Sequence, residues 1–189
     1  MIFKIEQEKN LFHLFWKDTF LRTVSSVVIK KRSLQLVSCG PEEICEELDR
    51  LEKKGLLRYA IFLLSRQSLH SNQLISKLAN HTWSRSILDE VVSHCRKEGW
   101  IDDKAWEQRK VYLWSEAGKS RREIAGKLRG YGISSSALEG VDDREILKKI
   151  LSQEKMRSLL QSKEGKEKVI KRLIRRGFSF SLIKEFILN

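Results

Sequence analysis

Two adjacent aspartates, Asp102 and Asp103, could do chemistry, because paired carboxylates can bind a metal ion or act as an acid and a base. They lie in the run EGWIDDKAWEQ, between Trp100 and Trp106. The residues up to Gly99 are typical of a helix C-terminus, and an aspartate before the next helix can accept hydrogen bonds from its first N–H groups. No other residues obviously complete a carboxylate cluster. We therefore interpret the pair as a helix cap, with a metal or acid–base site as the alternative.

Other sequence signatures of a metal or catalytic site are weak. Cys39, Cys45 and Cys95 lack the CxxC spacing of zinc ligands, and His94 belongs to no HxxxH pair. The sequence also has no GxxxxGK phosphate loop and no GxSxG nucleophile turn. We predict no metal, no cofactor and no catalytic residue. The odd number of cysteines favours reduced thiols in a cytoplasm.

The net charge of +12 predicts an acidic partner: nucleic acid, an acidic protein surface or an anionic membrane. The excess is uneven, since residues 151–189 have ten basic and four acidic side chains. The N-terminus lacks the pattern of a signal peptide, and the apolar runs LFHLFW and AIFLL fall far below the ~20 residues of a membrane helix. We expect a cytoplasmic protein without a membrane partner.

Three segments of the sequence align without gaps: LANHTWSRSILDEV, LRGYGISSSALEGV and LIRRGFSFSLIKEF. Their leading leucines, Leu78, Leu128 and Leu173, are 50 and 45 residues apart. Apolar residues four positions apart predict a short amphipathic helix that ends near each leucine, followed by a tight turn and a second helix. A further amphipathic stretch precedes each pair. Periods of this size are typical of stacked helical repeats.

Single positions of these segments have predicted roles. Gly132 and Gly177 stand where a helix end favours positive φ, whereas Thr82 takes that place in the first segment. The next two residues of each segment are predicted to be a core residue and a helix cap: Trp83 and Ser84, Ile133 and Ser134, and Phe178 and Ser179.

The predicted fold is mainly α-helical, an elongated curved array of three tandem three-helix repeats with a small N-terminal region. The predicted segments are a cap region over 1–40, a connecting helix over 41–58, and repeats over 59–103, 104–142 and 143–189. The connecting helix begins with proline and glutamates and ends with lysines and Gly55. In the cap region, the chain alternates around a polar break at Lys17-Asp18, as a β-hairpin does. The following run, VSSVVIKKRSLQLV, is compatible with a helix or a strand.

The run EGWIDDKAWEQ, followed by GKSRREIAGKLRGYGI, resembles the middle of the RecX family, the regulatory proteins of the RecA recombinase. The matching residues there are Gly99, Trp100, Ile101, Asp102, Asp103, Ala105, Trp106, Gly118, Ser120, Leu128 and Gly132. Further matches are Ala60, Leu64, Arg66, Leu74, Lys77 and Leu78 before them, and Leu173, Arg176, Gly177, Phe178 and Ile183 after them. His70 and Thr82 depart from the family's usual serine and glycine. The resemblance covers residues 59–189.

The resemblance implies a non-enzymatic protein that lies in the helical groove of the RecA–single-stranded DNA filament. It implies that the protein blocks filament growth and damps ATP hydrolysis and strand exchange, in the context of DNA repair, recombination and the SOS response. The expected partners are the RecA filament and single-stranded DNA, contacted directly or through the filament. We expect a monomer. A long basic surface suits this role because it can contact several filament subunits and approach bound DNA.

Basic residues recur where such a surface would lie. One precedes each leading leucine: Lys77, Lys127 and Arg172. Others cluster beside them: Arg121, Arg122, Arg129, Lys171, Arg175 and Arg176. We predict that these nine cations form the RecA- and DNA-binding surface. The alternative is an ordinary solvated helix face.

Two other functions fit parts of the sequence. Helix pairs joined by glycine turns permit an autonomous nucleic-acid-binding protein of the helix-turn-helix kind. The second helices, however, lack the Arg, Asn and Gln side chains that read bases. A hydrolase or nuclease would use Asp102, Asp103 and a third acid, and the cap interpretation argues against it.

Overall fold

The computed structural model describes residues 3–34 and 41–188, and over them the chain is mostly helical with one small antiparallel sheet. This confirms the prediction of a mainly α-helical chain with a β-region near its N-terminus. The chain divides into two units, Met1–Asp103 and Lys104–Asn189.

The sheet has three strands in the order β1-β2-β3: β1 (Phe3–Glu8), β2 (Leu11–Trp16) and β3 (Thr19–Ser25). Lys17 and Asp18 connect β2 to β3 with φ values of 45° and 66°. Positive φ at both residues is the backbone of a two-residue hairpin turn whose twist matches that of the strands. The predicted hairpin is therefore present, and β1 extends it by pairing with β2.

The first unit contains α1 (Lys31–Leu34), α2 (Pro41–Arg66), α3 (Ser71–Leu78) and α4 (Arg85–Lys97). The run that was compatible with helix or strand ends β3 and then forms α1, and its residues 35–37 lie outside the described part. Helix α2 does not end at Gly55 but continues to Arg66. A Cβ at Gly55 would lie 2.0 Å from the carbonyl oxygen of Val28, so this glycine permits close packing inside a helix.

The remaining helices are α5 (Asp103–Glu116), α6 (Arg121–Gly130), α7 (Asp143–Ser152), α8 (Glu154–Leu159), α9 (Lys163–Arg175) and α10 (Phe180–Ile187). A 3-10 turn, Ser135–Leu138, stands where the second aligned segment predicts its second helix. Ser134 precedes that turn without a side-chain cap, whereas Ser84 and Ser179 cap α4 and α10 as predicted. The amphipathic stretch before α9 is divided at Gln153 into α7 and α8.

One continuous apolar core holds the sheet on the helices of the first unit. Phe12, Leu14 and Val24 of the sheet are buried with Leu48 of α2 and Leu74 of α3. Burial of a side chain of this size contributes roughly 1.5–3 kcal/mol. The sheet is therefore an integral part of this unit.

The second unit has two apolar clusters. One surrounds Trp106 and Leu128, and the other surrounds Leu147 and Leu173. Val141 packs against both clusters.

The predicted core role of three aligned residues holds for two of them. Ile133 and Phe178 are buried, but Trp83 is 67% exposed, so the prediction for Trp83 is wrong. The first turn has Thr82 where the other two have glycine, and the side chain of Thr82 is itself buried. The Thr82 hydroxyl points into the core at this turn, and the Trp83 side chain lies at the surface.

A buried carboxylate explains the inward position of Thr82. Glu52 on α2 is 2% exposed, and its Oε1 accepts a hydrogen bond of 2.5 Å from Thr82 Oγ1. Its Oε2 accepts a hydrogen bond of 2.6 Å from Arg22 Nη2 on β3. A buried carboxylate is tolerated when both oxygens have such partners. Glu52 therefore connects the sheet, α2 and the α3–α4 turn.

We predict that Glu52→Ala lowers the free energy of unfolding of the first unit by about 3 kcal/mol, since it leaves buried partners of an ion pair unsatisfied. Asp49→Ala is the matched control, because Asp49 binds the same arginine from a position that is 56% exposed. That change is expected to cost less than about 1 kcal/mol. Urea denaturation followed by circular dichroism measures both, and equal losses would contradict this role of Glu52.

Candidate functional site

The second aspartate of the pair caps a helix, but not the one that follows it. Asp103 Oδ1 accepts a hydrogen bond of 2.7 Å from the backbone N of Ser71, the first residue of α3. Asp103 Oδ2 accepts one of 2.5 Å from Ser71 Oγ, which itself accepts one from Arg96 Nη2 at 2.7 Å. The predicted capping role is thus confirmed for Asp103, which stands in the first turn of α5 and caps the start of α3.

The same device occurs again in the second unit. Asp143 Oδ1 accepts a hydrogen bond of 2.6 Å from the backbone N of Arg121, the first residue of α6. Its neighbour Asp142 accepts one of 2.8 Å from the N of Arg144 and so caps α7. The run VDDREI is a second copy of IDDKAW, and this recurrence marks the acidic pair as a feature of the repeat. An acidic pair at these positions orders two helix starts at once.

The environment of Asp103 favours its charged form. Burial would raise the pKa of Asp103, but the hydrogen bonds from Ser71 and the positive charge of Arg96 outweigh burial, so the pKa lies below its usual value. His70 also caps α3, because its Nδ1 accepts a hydrogen bond of 3.1 Å from the backbone N of Asn72. The histidine that departs from the family's serine therefore keeps the capping role.

Ser120 and Gly177 form the contact between the start of α6 and the turn after α9. The buried Ser120 Oγ donates a hydrogen bond of 2.5 Å to the carbonyl oxygen of Arg176 and accepts one of 3.2 Å from the N of Glu123. Gly177 has a φ of 88°, and a Cβ there would lie 2.7 Å from Ser120 Oγ. The predicted positive φ of Gly132 and Gly177 is confirmed. At Gly177 the absent side chain also permits a helix-to-helix contact.

Most of the nine predicted cations are exposed. The exposed ones are Lys77, Arg121, Arg122, Arg129, Lys171, Arg172 and Arg175, and the half-buried ones are Lys127 and Arg176. Among the residues described by the structure, no carboxylate oxygen lies within 4.0 Å of a side-chain nitrogen of any of the nine. Neighbouring cations of the second unit do have such partners, as in Lys119–Glu123 at 2.5 Å and Lys149–Glu116 at 2.6 Å.

The structure brings two of the nine cations into one cleft and places a third near the turn that follows them. Arg172 and Arg176 line one cleft of the second unit. The Cβ of Arg122 lies 3.4 Å from the point that a Cβ of Gly177 would occupy, which places Arg122 beside the Ser120–Gly177 contact. Arg172 and Arg176 thus share a cleft, and Arg122 lies beside the turn at Gly177.

Three other predicted cations do not line this cleft. Arg121 Nη1 donates a hydrogen bond of 3.2 Å to the carbonyl oxygen of Val141. Lys127 Nζ lies 5.8 Å from the ring centre of Trp114, a cation–π distance. Lys77 belongs to the first unit.

Three aromatic side chains next to Lys127 contact one another, and this contact was not predicted from the sequence. Tyr131 stacks on Trp114 with ring centres 6.4 Å apart and meets Trp106 edge to face at 5.3 Å. Lys110 Nζ lies 5.3 Å from the ring centre of Trp106. Trp106 is buried. The cations here are held on aromatic faces that already pack against one another.

The described residues include no metal-binding cluster and no helix able to span a membrane. No group of three or more His, Cys, Asp or Glu side chains among them could hold a metal ion. None of the described helices combines the length and apolarity needed to cross a membrane. Cys45 and Cys95 are free thiols, and Cys39 lies outside the described part.

Comparisons with known proteins point to one family. Regulatory protein RecX of Staphylococcus carnosus is 30% identical to this chain over 197 residues, which cover 97% of the chain and 72% of that protein. Regulatory protein RecX of Mycobacterium leprae is 28% identical, with 79% of the chain and 91% of that protein covered. A crystal structure of regulatory protein RecX has the same fold, with a TM-score of 0.62 at 19% identity over 98% of this chain and 96% of that one. No profile of a known protein family matches the chain.

We predict that Asp103→Asn destabilises the protein at neutral pH by about 1 kcal/mol, the usual effect of losing a helix cap. A carboxyl with a lowered folded pKa stabilises the protein above its unfolded pKa, and this contribution is lost as the pH falls through the folded value. The difference between wild type and variant should therefore shrink on acidification from pH 7 to below the usual carboxyl range. Urea denaturation across pH measures it, and a pH-independent difference would contradict the charged cap.

We predict that Gly177→Ala destabilises the second unit more than Gly140→Ala. Both glycines have positive φ, 88° and 84°, so each change introduces backbone strain of about 1–2 kcal/mol. Only the Cβ at position 177 meets a neighbour, whereas nothing lies within 4 Å of a Cβ at position 140.

The variant Ser120→Ala removes the atom that the new Cβ would meet. In that background the extra penalty of Gly177→Ala should decrease, and a double-mutant cycle of thermal unfolding measures the coupling. Equal penalties at the two glycines, or an absence of coupling with Ser120, would show that this contact is unimportant.

Proposed function

This chain belongs to the RecX family of regulatory proteins, and from that premise we propose that it modulates the RecA recombinase. In this proposal the protein binds in the groove of the RecA–single-stranded DNA filament and inhibits it. Filament growth, ATP hydrolysis and strand exchange would all decrease. The relatives named above are regulatory proteins, and their similarity extends over most of this chain.

The observation that carries the proposal is that none of the nine predicted cations has a carboxylate oxygen within 4.0 Å among the described residues. A lysine or arginine paired with a carboxylate of its own chain offers little charge to a partner. Residues such as Lys171 and Arg175 on α9 are exposed and have no carboxylate within 4.0 Å in the described part of the chain. Unpaired cations on one helix face attract a polyanion and displace its counterions. A filament with bound DNA is such a polyanion.

The proposed action needs no catalysis by this chain. The acidic residue most suited to acid–base chemistry, Asp103, has both oxygens engaged by Ser71, and Arg96 reinforces that contact. A carboxylate held in this way by N–H and O–H donors stabilises a helix start. We propose accordingly that ATP hydrolysis belongs to the recombinase and that this protein acts by binding.

The proposed partners are those that the surface formed by the nine cations would bind. We propose that the filament is the main partner and that single-stranded DNA is contacted directly or through the filament. A monomer is the form we propose, because binding along a filament requires no second copy of the protein.

We predict that this protein inhibits the single-stranded-DNA-dependent ATPase of RecA at amounts well below one molecule per RecA. The charge-reversed variant Lys171→Glu/Arg172→Glu/Arg175→Glu should inhibit much less, since it turns the exposed face of α9 from positive to negative. A titration at fixed, moderate salt measures both proteins.

The matched control is Lys54→Glu/Arg58→Glu/Lys97→Glu, which makes the same change in net charge at three exposed cations of the first unit. It should inhibit nearly as well as the wild type. If both triple variants lost inhibition equally, net charge and not the α9 face would be responsible. If the wild type had no effect on its cognate RecA, the proposed function would be wrong, and autonomous nucleic-acid binding would replace it.

A further inference from the structure

A cleft of about 260 Å³ opens in the second unit beside the end of α5. Helix α7 contributes Lys149, α9 contributes Arg172, and Arg176 lies directly after the end of α9. Glu116 and Gly118 at the end of α5 also line the cleft. The volume is several times the ~30 Å³ that one water molecule occupies in the liquid. The cleft therefore has room for a small charged group together with part of the molecule that carries it.

The charge of the cleft is only partly compensated from within. Glu116 accepts a hydrogen bond of 2.6 Å from Lys149 Nζ, and this pair neutralises itself. The guanidinium groups of Arg172 and Arg176 have no hydrogen-bond or ion-pair partner in the part of the chain that the structure describes. Two positive charges, one on α9 and one on the residue that caps its C-terminus, thus line the same cleft.

Arg176 is held in place before any ligand arrives. Its carbonyl oxygen accepts the 2.5 Å hydrogen bond from the buried Ser120 Oγ, which fixes its backbone. Its Nη1 lies 3.3 Å from the point that a Cβ of Gly118 would occupy, so the guanidinium rests against a residue without a side chain. A half-buried arginine loses part of its hydration, and a preorganised guanidinium binds a planar or tetrahedral oxyanion with little further ordering.

We propose that this cleft binds a backbone phosphate of single-stranded DNA, with Arg176 and Arg172 as its ligands. That the nucleic acid is single-stranded DNA rests on the proposed function; the new element is that its backbone phosphate is the group bound in the cleft. A guanidinium pair also suits a carboxylate of a protein partner. The phosphate is favoured because unpaired cations continue beyond the cleft at Lys171 and Arg175, and a series of cations matches a chain of phosphates better than a single carboxylate.

The test uses this protein alone, without a recombinase, and a fluorescein-labelled oligodeoxythymidylate whose anisotropy reports binding. Arg176→Gln should weaken binding about tenfold, the effect of losing one charge-assisted contact. The slope of log K against log salt should become shallower by about 0.7, as expected for one lost phosphate contact on a single strand. Arg172→Gln should act in the same direction, and it leaves the Ser120 contact of Arg176 in place.

Two controls isolate the cleft. Arg58→Gln removes one exposed positive charge from the first unit and should change the affinity less than about twofold, because this charge does not belong to the cleft. An oligonucleotide with a neutral methylphosphonate backbone should bind wild type and Arg176→Gln equally weakly. Circular dichroism of each variant verifies that the fold is retained.

Several results would overturn the inference. Equal loss of oligonucleotide affinity in Arg176→Gln and Arg58→Gln would mean that overall positive charge, and not a specific site, determines binding. Unchanged DNA binding by both cleft variants would exclude the phosphate. If these variants still lost inhibition of RecA, the cleft would bind a protein carboxylate and the proposed function would survive. Retained DNA binding through Arg176 in a protein without effect on RecA would instead reject the proposed function and keep the phosphate site.

Discussion

The start of a helix is the feature on which most of this structure depends. The first N–H groups of a helix have no partners within it, and a chain made of many short helices has many such ends. Here the ends are satisfied from outside the helix: Asp103 serves α3, and Asp143 serves α6. Each of these contacts joins residues far apart in sequence. A local requirement for hydrogen bonds thereby becomes a tertiary contact within each unit.

This use of carboxylates affects the surface as well. In the second unit, Asp142 and Asp143 are occupied by helix starts, and Glu116 and Glu185 are paired with Lys149 and Arg144. The cations on the C-terminal half of α9 have no such partners among the described residues. The unequal distribution of charge along the chain thus appears in the structure as unpaired cations on α9, and we propose that their partner is another molecule.

Sequence reasoning succeeded where a pattern has one physical meaning. Positive φ at Gly132 and Gly177 and the turn at Lys17-Asp18 follow from local backbone sterics, and they were predicted correctly. It was incomplete where the partner is distant, since no local pattern shows that Asp103 caps α3 and not α5, or that Trp83 stays exposed because Thr82 reaches Glu52. The nine cations could be predicted as residues. Which of them share a cleft depends on the packing of α5, α7 and α9, and that packing is not readable from one helix at a time.

The most direct test of the central claim is an electron cryomicroscopy reconstruction of the RecA–single-stranded DNA filament saturated with this protein. We expect density for this protein in the filament groove, with the cationic face of α9 turned toward the filament and its DNA. Density that placed α9 toward solvent would contradict the assigned surface. A filament without added density under saturating conditions would contradict the proposal that this chain acts on the filament at all.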